Sequence, residues 1–105
     1  MVVDNEAINQ VIEDYVGEVR SAIPIDKVYL FGSYAKGTAD KHSDIDLCFF
    51  SGSFENQDTI EIVKMLFRMT RVYKGMDIEP HAFATSDLET DNPFIKEILR
   101  TGKEL

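Results

Sequence analysis

Residues 28–50 read VYLFGSYAKGTADKHSDIDLCFF and hold two groups able to do chemistry. The first is Gly32-Ser33, directly after an apolar run. Gly32 has no side chain, so a phosphate can approach its backbone, and Ser33 adds a hydroxyl. A helix starting there would aim its free N–H groups at the same anion. The second group is Asp44-Ile45-Asp46, separated from Ser33 by ten residues and inside another apolar run. Side chains alternate along a strand, so Asp44 and Asp46 share one side while Ile45 and Leu47 turn into the core. Two carboxylates this close repel unless a charge offsets them. Mg²⁺ is the usual solution, because it favours oxygen ligands and keeps room for phosphate oxygens. The bland alternatives are an ordinary strand-to-helix turn and a solvated polar strand face. Taken together, the two groups point to metal-assisted chemistry on a nucleoside triphosphate.

A third carboxylate is expected from MDIEPHAF, residues 76–83, where Asp77, Glu79 and His81 project to one face of a strand. Either acid completes a three-carboxylate cluster if that strand neighbours the one carrying Asp46. Such a cluster holds two metal ions about 3.5–4 Å apart. The alternative is one ligand and one solvent-facing acid. Two other phosphate motifs fail. Gly32 and Gly37 have P-loop spacing, but Thr38 stands in place of the lysine and Ala39 in place of Ser/Thr. Asp-x-Asp on a strand also opens the HAD-type phosphatase motif, but Cys48 stands where that motif has threonine, and Gly32-Ser33 would have no role.

Weaker signals surround these. Lys36 either reaches a phosphate from the short helix or is solvated. Ser43 either hydrogen-bonds one of the aspartates or only starts the strand. His81 is a partner for Glu79 or, more often in such positions, a surface histidine; His42 sits in a charged loop. Cys48, between apolar neighbours, reads as a packed thiol. Lys64, Arg68 and Arg71 form a basic stripe at helical spacing, a solvated face or a meeting point for an acidic partner. Phe49, Phe50, Phe54, Phe67, Phe83 and Phe94 belong mostly to the core, with a subset available for a dimer face.

The elements that must position these groups follow from periodicity. Asp4 to Arg20 has apolar residues at Ile8, Val11, Ile12, Tyr15 and Val19, a helical spacing with Asp4 or Asn5 as N-cap. Ser21 to Asp26 connects it to strand one, Lys27 to Phe31. Gly32-Ser33 starts a short helix that Gly37 ends. Thr38 to Ser43 is a loop, Asp44 to Phe50 strand two, and Ser51 to Gln57 another loop. Asp58 to Lys74 reads as a helix closed by Gly75. Met76 to Ala84 is strand three, where Pro80 calls for an edge position or a bulge. Pro93 to Thr101 is a last helix with proline in its first turn. The fold class is α/β in the α+β sense: a small mixed sheet of three or four strands with helices mainly on one face. The other face would carry the site.

At 105 residues and 44% hydrophobic, the chain is expected to be one domain, residues 1–105, and is too apolar for disorder. No apolar run reaches membrane-span length and no signal peptide is apparent. A single cysteine cannot form an internal disulfide, which favours a cytoplasmic setting. The net charge of −8 argues against general nucleic-acid binding, because few phosphate counterions can be released. Binding a triphosphate therefore needs a metal ion and a helix N-terminus.

Gly32-Ser33, ten residues, Asp44-x-Asp46 among apolar residues, and an acid on a later strand resemble the nucleotidyltransferase superfamily of DNA polymerase beta. The phrases GSYAKGTA and SDIDL, and the chain length, resemble its small stand-alone branch, the minimal nucleotidyltransferase domains. The resemblance spans essentially the whole chain. It implies a nucleotidyltransferase fold in which Gly32 and Ser33 hold the triphosphate, Asp44 and Asp46 bind Mg²⁺, and Glu79, with Asp77 in reserve, orients or deprotonates an acceptor hydroxyl. The implied reaction moves a nucleoside monophosphate, AMP from ATP by preference, onto that hydroxyl with release of pyrophosphate. Larger relatives add a second domain for base and acceptor, which this length does not accommodate. The branch suggests instead an all-helical HEPN-type partner, with this chain as antitoxin, or a second copy of the chain. The competing expectation is a non-catalytic module that neutralises such a partner by contact; the retained Gly32, Ser33, Asp44 and Asp46 speak against it.

Overall fold

A computed structural model describes residues 5–105. Helix α1 spans Glu6–Ala22 and is capped by Asn5, whose side-chain oxygen accepts from the Ile8 N–H at 3.2 Å. Asp4, the other expected cap, lies outside the described residues. The helical spacing buries Ile8, Ile12, Tyr15, Val16 and Val19 on one stripe. Strand β1 is Lys27–Phe31, followed by the single turn α2, Ser33–Lys36. Gly37 ends that turn at φ 76°, a left-handed conformation that suits glycine. Strand β2 is Ile45–Ser51, helix α3 is Thr59–Met69, and strand β3 is Ile78–Ala84. Helix α4, Pro93–Thr101, starts at Asn92, whose side chain accepts from the Phe94 and Ile95 N–H groups. A two-residue strand β4, Lys103–Glu104, closes the order.

The four strands form one mixed sheet in the order β3-β2-β1-β4. β1 pairs antiparallel with β2 and with β4, while β2 and β3 run parallel, joined through α3. Alternation along the strands divides the apolar residues between two faces. Val28 and Leu30 of β1, Ile45, Leu47 and Phe49 of β2, and Ile78 and Ala82 of β3 build the main core with α1 and α3. The opposite face carries a smaller cluster, in which Cys48 and Phe50 pack with Ile95 and Ile98 of α4. The expected mixed sheet with helices mainly on one face is therefore present, and α4 covers part of the second face.

Several boundaries differ from the expected ones. Strand β2 starts at Ile45, so Asp44 stands one residue before it. Helix α3 stops at Met69 and passes into a 3₁₀ turn, Thr70–Val72, instead of continuing to Lys74. The apolar spacing continues through Val72 and Tyr73, which is why the sequence reads as one helix. Gly75 does not cap α3; it takes a left-handed φ of 83° in the turn before β3. Met76 and Asp77 precede β3 rather than belonging to it.

Pro80 sits in an edge strand, as its missing N–H requires. The Ile45 N–H donates to the Asp77 carbonyl at 2.7 Å, so residue 77 faces β2. By alternation 79, 81 and 83 also face β2, and Pro80 turns its imide nitrogen to the outer side. Its side chain is fully buried.

One buried polar contact ties the two core helices together. The Tyr15 hydroxyl donates to the Leu66 carbonyl at 2.8 Å, and Tyr15 packs edge-on against Phe49 and Tyr73. Burial pushes its phenol far above the ordinary range, so it stays a donor at any physiological pH. Tyr15→Phe keeps the ring and leaves the carbonyl without that partner. We expect a loss of about 1–2 kcal/mol in urea unfolding. An unchanged midpoint would mean that water replaces the hydroxyl.

Candidate active site

The register of the sheet assembles the site. In β2 and β3, Asp46 lies opposite Glu79 and Cys48 opposite His81. In β1 and β2, Phe31 lies opposite Asp46. Asp46 is thus flanked by Phe31 on one side and Glu79 on the other, on the face that α4 partly covers. Asp77 falls short of the paired stretch and is exposed.

Asp46, Glu79 and His81 converge so that one ligand atom from each lies within 4.8 Å of the others. His81 Nε2 stands 3.8 Å from a Glu79 oxygen, too far for a hydrogen bond. The imidazole is held in an aromatic triangle. Its ring centroid is 5.3 Å from that of Phe31 and 5.4 Å from that of Phe94, and those two are 5.6 Å apart. Phe94 comes from the first turn of α4 and is 42% exposed. Burial lowers the His81 pKa, and the nearby Glu79 carboxylate opposes that shift.

Asp46 has the most perturbed carboxyl among the described residues. Its pKa is pushed up to about 6, first by burial, then by the charges of Glu79 and Asp44. Among the described residues no lysine or arginine pairs with Asp46 or Asp44. A half-buried carboxylate facing two more acids without a counter-charge is the donor set that a divalent cation suits. Asp44, just ahead of β2, is exposed and stands outside the three-residue cluster while still acting on Asp46 electrostatically.

Gly32 has a role that the sequence does not reveal. It adopts φ 73° and ψ −154°, and a Cβ built on it would collide with Asp46 Oδ2. The missing side chain makes room for the Asp46 carboxylate as well as for any phosphate. Ser33 opens α2, and the Gly32 carbonyl accepts from the Lys36 N–H at 3.1 Å. Lys36 is exposed at the end of that turn. Ser43 bonds to neither aspartate: its hydroxyl accepts from the Asp40 N–H at 2.9 Å and closes a turn that also holds His42 through the Asp40 carboxylate. Cys48 is fully buried, and burial pushes its thiol up to about 12, as a packed thiol requires. Beside Glu79, between β3 and α3, runs a groove of about 390 Å³ lined by Thr59, Val63, Phe67, His81 and Phe83.

Residues 12–100 match the model of the nucleotidyltransferase domain family. The chain belongs to this family. A Methanocaldococcus jannaschii protein named "Putative protein adenylyltransferase MJ1305" is 28% identical over 109 residues, covering 97% of this chain and 73% of its own length. The crystal structure of a "putative nucleotidyltransferase" from Sulfolobus solfataricus superposes with a TM-score of 0.64 at 25% identity, over 76% of this chain and 69% of that one. A chain of a toxin-antitoxin MntA-HpeT mutant gives the same TM-score and identity over 89% of this chain and 69% of its own. The expected minimal nucleotidyltransferase and its fold are therefore present, and the chain is a nucleotidyltransferase enzyme. In this nucleotidyltransferase the strand register supplies what periodicity could not: which acid faces Asp46, and that His81, Phe31 and Phe94 gather beside it.

Proposed function

We propose that this nucleotidyltransferase transfers AMP from ATP to a hydroxyl on a partner protein, using divalent cations held by Asp44, Asp46 and Glu79. The observation that carries the reading is the juxtaposition of Gly32, Asp46 and Glu79 on one sheet face, with no lysine or arginine ion-paired to the two acids among the described residues. When bound, the cation offsets phosphate charge and lowers the pKa of the attacking hydroxyl.

The chain's own groups do the rest. Gly32 and Ser33 offer bare backbone and a hydroxyl to the triphosphate, and exposed Lys36 offers a charge. Asp44, exposed just ahead of β2, and Asp46, fixed in β2, would hold the cation whose charge draws the phosphates to this face. Glu79 accepts the proton of the acceptor hydroxyl, with Asp77 too far along the chain to face Asp46. The hydroxyl oxygen bonds to the α-phosphorus as the bond from that phosphorus to the pyrophosphate oxygen breaks. Phe31 and Phe94 pack against the His81 ring beside the carboxylates.

The acceptor enters along the groove between α3 and β3. The name of the archaeal relative supports a protein acceptor, and the toxin-antitoxin neighbour supports a partner chain, which we take to be HEPN-type with this chain as antitoxin. The test is label transfer to a co-purified partner from ATP labelled at the α- or the γ-phosphate, with Mg²⁺. Label from the α-position alone is expected. Label from the γ-position would make the enzyme a kinase. No label, with the partner still neutralised on co-expression, would favour neutralisation by contact.

A further inference from the structure

Glu79 and Asp46 face a third donor that the carboxylate reading leaves unused. His81 lies one alternation beyond Glu79 on the same strand face, and one ring nitrogen of His81 and one carboxylate oxygen each from Glu79 and Asp46 lie within 4.8 Å of one another. Donors around one octahedral ion stand about 3–4.2 Å apart, given bonds of about 2.1 Å. The 3.8 Å between His81 Nε2 and the Glu79 oxygen falls in that range and is longer than a hydrogen bond. A histidine that served only to orient Glu79 would sit closer. The ring has little freedom to turn elsewhere, because Phe31 and Phe94 pack against it edge-on and tilted. Asp44, in contrast, stands outside this set.

We infer that His81 Nε2 is a metal ligand, so that Asp46, Glu79 and His81 form a mixed oxygen–nitrogen cation position that favours Mn²⁺ and later transition ions over Mg²⁺. The inference rests on Asp46 and Glu79 acting as cation ligands. Imidazole adds little for Mg²⁺, a hard ion that prefers oxygen and water, and more for Mn²⁺ and the metals after it. The chain would then hold one oxygen-only position near Asp44, suited to the ion that travels with the triphosphate, and one position with a nitrogen donor.

The test is Mn²⁺ titration followed by electron paramagnetic resonance, on the full chain, alone and with inorganic tripolyphosphate. Tripolyphosphate supplies phosphate oxygens and contains no nitrogen, so any nitrogen coupling comes from the protein. The variants are His81→Gln and Asp46→Asn. We expect ¹⁴N coupling to bound Mn²⁺ in the wild type. In His81→Gln the coupling should vanish, Mn²⁺ affinity should fall roughly tenfold, and Mg²⁺ affinity should change by less than about twofold. Mn²⁺ bound without nitrogen coupling, equally tightly in His81→Gln but lost in Asp46→Asn, would overturn the His81 ligand and leave the carboxylate site standing. Mn²⁺ binding absent, or indifferent to Asp46→Asn, would remove both.

Discussion

Asp46→Asn should give a folded protein with nucleotide transfer reduced at least about a thousandfold, yet more stable than the wild type in metal-free buffer at pH 8. The two effects share one cause. The Asp46 carboxyl is half-buried beside Glu79 and Asp44, which pushes its pKa from the ordinary 3.8 up to about 6. A group whose pKa rises on folding supports the fold fully below its unfolded value, and that support is lost as pH rises through the folded value. At pH 8 the charged Asp46 is therefore a cost, and neutral asparagine of nearly the same shape removes it. The full shift would correspond to about 3 kcal/mol, and solvent screening of a half-exposed group brings the expected gain nearer 1 kcal/mol. The difference should shrink as pH falls from about 6 to 4, and saturating Mg²⁺ should reverse it by stabilising only the wild type. Denaturation curves at pH 4–8, with and without Mg²⁺, measure this directly. A less stable asparagine variant at pH 8 would contradict the account in which burial, and then the charges of Glu79 and Asp44, make the Asp46 carboxylate a cost.

Gly32→Ala should be the most damaging single methyl addition at the site. The new Cβ would collide with Asp46 Oδ2 on a backbone held at φ 73° and ψ −154°. Either the carboxylate swings away from Glu79 or β1 and β2 separate locally, and both end metal binding and transfer. We expect about 2–4 kcal/mol of lost stability. Gly37→Ala is the control. It shares the positive φ, at 76°, but its ψ of 17° puts it in the left-handed region that alanine enters for about 1 kcal/mol, and a Cβ there meets nothing within 4 Å, whereas the ψ of −154° at Gly32 belongs to a region kept almost wholly by glycine. The three atoms nearest the Cβ at residue 32 all belong to Asp46, so Gly32→Ala made in an Asp46→Ala background should cost less than in the wild type, leaving mainly a backbone cost of about 1–3 kcal/mol. Additive losses would place the strain in the backbone rather than between these two residues.

The contrast between the two glycines marks how far the sequence could be read. Gly32 and Gly37 both announce turns, and both turns are there. Gly32 was also legible as a place of close approach, but the atom approaching it, Asp46 Oδ2, depends on which strands pair and in what register. Alternation placed Asp77, Glu79 and His81 on one face, but could not say that Glu79 falls opposite Asp46 while Asp77 stops short of the ladder. Pro80 correctly marked an edge strand, because a missing donor has few places to go. Asp44 was read into β2, since one polar residue before an apolar run carries no sign of where pairing begins. β4 has two residues, too few for any period, and exists only because Gly102 lets the chain return beside β1: a Cβ there would be 2.5 Å from the Ile98 carbonyl oxygen and 2.9 Å from that of Leu30. That Pro93–Thr101 forms a helix, with proline in its first turn, was legible in the sequence. That it would lie across the second sheet face and bring Phe94 to His81 was not, because a stripe of apolar residues does not name what it covers.

Pro80 also governs how copies of this chain can meet in crowded solution. An open sheet edge is a template on which a foreign strand can lay down a ladder, the first step towards sheet-to-sheet aggregation. Here the strand bearing Glu79 is that edge, and its third residue, at an outward position, is a proline, buried and without a hydrogen to offer. An incoming strand would find its run of bonds interrupted beside the carboxylates. The edge that must stay uncovered for an acceptor to reach Glu79 is thereby kept from becoming a seam between molecules.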